Sequence, residues 1–223
     1  MNNGFSGSCF STSCLSNNSN LISDLADNFL KLFKRFHQLG ISHGDLHNSN
    51  IFINDRGRIK LIDYDSLYVK GYIELKHSIK GIESFVHPNK QKFLKEKQDF
   101  FPELVIYLSL LGISASPALW EKYNRGVDNL LFTLKDFKNH KTSDLFKSLD
   151  QLKDHKISSL VYILKKYLDT KDPYTLNPIE EELKSLENPD IHFSSDRKFV
   201  ENTADRKIQL KWNAESFKSV KLN

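Results

Sequence analysis

Cysteine is scarce: Cys9 and Cys14 are the only two in 223 residues. That excludes a disulfide framework, and two thiols alone cannot complete a four-ligand zinc site. It fits a reducing compartment, so a cytoplasmic location is expected. No apolar run is long enough to cross a bilayer, and no membrane partner is expected. The first 20 residues carry neither charge nor an apolar run, so no secretory leader is expected. Blocks of like charge are missing too. The net charge of +4 is mild, so the sequence does not call for a nucleic-acid partner. There is no internal repeat.

What remains is the composition of a globular domain, 39% hydrophobic and 27% charged. Residues 1–19 are rich in Ser and Asn and are expected to be disordered. A domain is expected over 20–188, followed by an extended tail over 189–223. Leu21, Leu25, Phe29, Leu32, Phe33, Phe36 and Leu39 recur at helical spacing, with Gly40 as the stop, predicting a helix over 21–39. Asn50–Asn54 and Arg58–Ile62 flank the turn sequence Asp55-Arg56-Gly57 and read as a hairpin. Ile51 and Ile53 would share one face, and Ile59 and Leu61 another, with Lys60 opposite.

Residues 66–98 have little periodicity and read as a long irregular segment. From Leu104 to Ile113 the chain is apolar almost all round, which predicts a buried central helix with Pro102 at its first position and Asp99 just before it. Further helices are expected after Ser116-Pro117, after Ser143, over 157–168 and after Asn177-Pro178.

The run His43-Gly44-Asp45-Leu46-His47-Asn48-Ser49-Asn50, with Asp63-Tyr64-Asp65 beyond the hairpin, carries the chemistry. A carboxylate at Asp45 can take a proton from an acceptor hydroxyl. An amide at Asn50 and a carboxylate at Asp63 can hold Mg²⁺ against nucleotide phosphates. The plainer alternative is a hairpin with turn-forming acids: Asp45 in a turn, Asn50 at a strand start and Asp63 at a strand end.

In order and spacing these residues resemble the C-terminal lobe of the protein kinase superfamily, whose pattern is H-R-D-L-x-x-x-N followed by D-F-G. Gly44 makes the loop similar to the H-G-D loop of aminoglycoside and choline phosphotransferases. Asp63 to Val69, His87-Pro88, Tyr107 to Leu110, Pro117 and Trp120 look more like bacterial serine/threonine kinase-like proteins. The resemblance spans roughly residues 20–170. It implies an α+β, mostly helical fold: a kinase-like C-terminal lobe with a small β-hairpin at the catalytic loop.

It also implies roles. Asp45 would be the catalytic base, Asn50 and Asp63 the Mg²⁺ ligands beside ATP, and His47 a weak contact to the transferred phosphate. His43 would pack beneath the Asp63 turn, and Asp99 would anchor the catalytic loop. His87 is expected to pack rather than react.

There are departures from the family. No glycine-rich loop and no V-A-I-K-type lysine occur, and the residues before the first helix are too few for the family's N-terminal lobe. Asp65 replaces the glycine of D-F-G, and Val86-His87-Pro88-Asn89 lacks the glutamate of A-P-E. The arginine beside the catalytic aspartate is also missing.

The resemblance therefore implies an ATP-dependent phosphotransferase, a serine/threonine protein kinase in type, acting on a protein or small-molecule phosphoacceptor. The alternatives are a catalytically impaired pseudokinase that docks a protein, or half of a split kinase whose N-lobe is a separate or regulatory protein.

Overall fold

A computed structural model describes residues 8–9, 19–54, 57–72, 81–89, 96–124, 126, 128–171 and 175–187. The expected tail over 189–223, most of the 1–19 segment and Cys14 lie outside the described residues. The chain divides into units 1–184 and 185–223, and only the end of one helix is described in the second. The fold is α+β and mostly helical.

Helix α1, Ser19–Leu39, forms where the helical repeat was read. Ile22, Leu25, Ala26, Phe29 and Phe33 make its buried stripe, and the Phe29 and Phe33 rings lie 4.6 Å apart. Leu39, assigned to that stripe from spacing, is 48% exposed. Leu39 is the last residue of the helix: Gly40 beyond it turns left-handed at φ +63 and donates its N–H to the His37 carbonyl.

The chain then enters β2, Ile41–Ser42. After the motif loop and the 3₁₀ turn Asn48–Asn50 it runs into β3, Ile51–Ile53, and β4, Ile59–Leu61. The hairpin register pairs Ile51 with Leu61 and Ile53 with Ile59. Directly opposed residues of a ladder point to the same side. The two pairs that looked like separate faces are therefore one, and Ile51, Ile53 and Leu61 are buried.

Asn54 closes the turn by accepting the Arg58 N–H on its side chain at 2.8 Å, and Gly57 takes φ +68. On the other side of β3, the short strand β1, Ser8–Cys9, pairs antiparallel with Phe52 and Ile53. These two residues therefore have regular structure where disorder was expected. The segment read as irregular contains β5, Tyr68–Val69, which pairs antiparallel with β2, and a 3₁₀ turn at Glu83–Phe85.

Helix α2, Phe100–Ala115, is the expected pillar, buried on every side. It starts two residues earlier than Pro102 suggested, and the proline sits within the first turn, where its missing N–H costs nothing. Two polar side chains inside it need partners. Ser109 donates to the Val105 carbonyl at 2.7 Å, and Glu103 meets His37. Gly112 lets another helix approach: a Cβ there would lie 2.9 Å from Leu149.

The remaining helices are α3, Ala118–Tyr123; α4, Leu134–Lys138; α5, Asp144–Gln151; α6, His155–Asp169; and α7, Ile179–Glu187. All except α4 were legible. α4 is short, yet its capping box is written in the sequence, with Asp136 reaching back to the Thr133 N–H at 3.0 Å. Among the described residues no helix is long and apolar enough to cross a membrane.

Candidate active site

The motif loop hangs from α2. The Asp99 carboxylate does not cap its own helix. It accepts the N–H of His43 on Oδ2 and the N–H of Gly44 on Oδ1, the latter at 2.9 Å. Asp99 is 2% exposed. Burial pushes its carboxyl above the usual range, against the pull of the two amide donors. The two bonds tie the motif loop to the start of α2.

Gly44 is required on two counts. Its φ is +90, and a Cβ there would fall 2.3 Å from the Ser66 carbonyl oxygen and 2.7 Å from the Gln98 side chain. Any larger residue would force the loop away from the segment that follows the second acid.

His43 is fully buried and donates from Nε2 to the Ile62 carbonyl at 2.8 Å, with its ring 5.2 Å from that of Tyr64. Its ring therefore contacts the residues on either side of Asp63, Ile62 and Tyr64. The Ile62 N–H donates to the Asn50 carbonyl at 3.1 Å. That bond fixes the distance between the two halves of the motif. A hydrogen-bonded cross-strand pair plus one residue puts the Cα atoms of Asn50 and Asp63 at most about 9 Å apart.

Asn50 is buried and donates from Nδ2 to the Asp45 carbonyl at 2.9 Å. Its amide oxygen is then the atom able to ligate a cation. Asp63 is exposed and is one of two non-glycine residues with positive φ among those described, at +61. Left-handed backbone at a non-glycine position beside a polar loop is the kind of local strain that collects at working sites.

Asp45 is partly exposed, its side chain 20% accessible, at the rim of a narrow cleft of about 20 Å³ lined also by Gly81, Phe85, Lys97 and Gln98. The cleft has room for roughly one water-sized group. The structure thus brings Asp45, His47, Asn50, Asp63, His43 and Asp99 together around one loop.

His87 behaves as packing. It is buried edge-on to Phe101, with centroids 5.0 Å apart. It accepts from the Asn89 N–H and donates to the Tyr167 carbonyl. Burial lowers its pKa despite that carbonyl, so it stays neutral.

The sequence reading missed a charged cluster behind the loop. His37, near the end of α1, contacts Glu103 of α2 at 3.0 Å and Glu180 of α7 at 2.9 Å. Burial alone would lower the His37 pKa, but hydrogen bonds and charges from the two glutamates raise it to about 10. Burial also raises Glu103 to about 8, against the pull of His37. Glu180 ends below the ordinary carboxylate range, because His37 outweighs the effect of burial. The available signal was a lone acid, Glu103, in an otherwise apolar helix.

The donors suit Mg²⁺, which needs only one or two protein oxygens when phosphates and water complete its shell. No cluster of three or more His, Cys, Asp or Glu side chains able to hold a metal occurs among the described residues. A two-oxygen set of amide and carboxylate is a different arrangement, one that relies on the nucleotide. Neither a scan against protein-family models nor a comparison with curated proteins finds a match to this chain.

Proposed function

We propose that this chain is a phosphotransferase of the protein kinase type that uses ATP and Mg²⁺, with a serine or threonine hydroxyl of a protein as acceptor. One observation carries the reading: Asp45, Asn50 and Asp63 lie on a single loop-and-hairpin unit. Its two halves are tied by the Ile62 to Asn50 backbone bond, and the unit is suspended from the buried Asp99. Asp45 takes the proton of the acceptor hydroxyl, which enters the narrow cleft beside it. Asn50, through its amide oxygen, and Asp63 hold Mg²⁺. The bound ion supplies the positive charge that neutralises the nucleotide phosphates.

The test is phosphate transfer from labelled ATP to a dephosphorylated protein acceptor, paired with calorimetry of ATP binding with and without Mg²⁺. Asp45→Ala is expected to lower kcat by roughly 10²–10⁴-fold and to leave ATP binding intact. Asp63→Asn is expected to abolish the Mg²⁺-dependent part of that binding. A chain that neither transfers phosphate nor binds ATP overturns the reading.

A second reading has its own support. None of the nine glycines lies in a G-x-G sequence, so no backbone cradle for the phosphates can be read in the chain. Alignment supplies most of the catalysis in this chemistry. On this reading the chain is a pseudokinase that docks a protein, or half of a split kinase completed by a separate N-lobe. ATP binding without transfer, restored by an added strand-rich partner, would favour it.

A further inference from the structure

His47 opens the 3₁₀ turn in extended conformation, φ −154 and ψ 170, and its Nδ1 accepts the Ser49 N–H at 3.3 Å. A ring nitrogen that accepts a hydrogen bond cannot itself carry a proton. In the neutral ring the proton is therefore on Nε2. That nitrogen lies 3.7 Å from Asp45 Oδ2. The ring is held in place: the side chain is 11% exposed, and the Phe85 ring stands beside it at 6.4 Å.

We propose that His47 is a positioning residue for Asp45. Its Nε2–H faces the Asp45 carboxylate and fixes the orientation in which that group meets an acceptor hydroxyl. The contact is longer than a hydrogen bond and acts as a dipole aimed at a charge within a largely desolvated pair. The inference rests on the proposed phosphotransfer. It replaces the phosphate-contact role expected of His47, because the ring turns one nitrogen to the backbone and the other to the carboxylate.

Two arms test it in the full-length protein. In the first, ¹⁵N-histidine NMR reads the tautomer, with the His47 signal assigned by its loss in His47→Gln. The expected result is an Nε2–H imidazole whose Nε2 resonance moves in Asp45→Asn. An Nδ1–H tautomer, or a signal indifferent to Asp45→Asn, overturns the proposal. This arm needs no turnover, so it decides the matter even if the chain fails to transfer phosphate.

In the second arm, His47→Ala is expected to lower kcat roughly ten- to hundredfold with KM for ATP unchanged, since a misplaced base costs rate. His47→Gln, which keeps an N–H donor, is expected to recover most of that loss. His47→Lys, which could reach a phosphate, is expected to behave like alanine. A raised KM for ATP with unchanged kcat, or rescue by lysine, overturns it.

Discussion

Asp99→Ala is expected to destabilise the fold by roughly 3 kcal/mol or more, and Asp99→Asn by about half as much. In the wild type one carboxylate satisfies two backbone amides, those of His43 and Gly44. Removing it leaves the buried His43 N–H and the half-buried Gly44 N–H without their acceptor, and each unpaired buried donor costs about 1–3 kcal/mol. Asparagine keeps one acceptor and turns an NH₂ toward the other amide, so one bond survives. Urea denaturation measures the effect, as a lower midpoint at unchanged slope. If Asp99→Ala unfolds at the wild-type midpoint, the loop does not hang from α2 as described. A local consequence accompanies the global one. Asp45 lies one residue past the second lost bond, so Asp99→Asn should lose phosphotransfer even at temperatures where it remains folded.

His37→Ala is expected to cost about 3–5 kcal/mol, the usual penalty for removing one partner of a buried charge cluster. Glu103, 1% exposed, would be left without its hydrogen-bond partner and Glu180 without its counter-charge. The double variant His37→Ala, Glu103→Gln should recover part of that loss, because it removes the buried acid left without a partner. A double-mutant cycle with near-zero coupling would show that the contact contributes nothing.

The same cluster sets a pH dependence. His37 is raised from 6.5 to about 10 in the folded chain, so its stabilisation is complete below pH 6.5 and is lost as pH rises through about 10. Glu103, raised from 4.5 to about 8, also holds its proton longer when folded, and its contribution falls over pH 4.5 to 8. Both slopes have the same sign, so wild-type stability should decline from neutral to alkaline pH. His37→Ala should flatten the part of that decline above pH 8.

Much of this architecture is legible in the sequence because it is written locally. Helix α1 and the pillar α2 announce themselves through spacing and through the absence of a polar face. The hairpin does so through alternation around a glycine turn. Asp45, Asn50 and Asp63 stand out by type and separation, His43 and Asp99 only through the family resemblance, and the hydrogen bonds of Asp99, His43 and Asn50 link the loop to α2 and to the hairpin. What was not legible depends on chain segments meeting from afar. His37, Glu103 and Glu180 come from three helices, and nothing in any one helix names its partners. The pairing of β2 with β5 joins residues on either side of the motif, with strands too short for alternation to register. The hairpin faces were misjudged because face is a property of register, and register is fixed only when Ile51 meets Leu61. The orientation of the His47 ring was not legible for a related reason: an imidazole in the sequence does not say which of its nitrogens meets the backbone.

The left-handed turn at Asp63 has a consequence of its own. An L-residue with a β-carbon holds that conformation at a cost of about 1–2 kcal/mol, which glycine would not incur. Folding on its own would favour a bare backbone at the exit of the hairpin. The chain instead keeps an exposed carboxylate there, in a spot where it adds nothing to the hydrophobic interior, and accepts a slightly weaker fold for it.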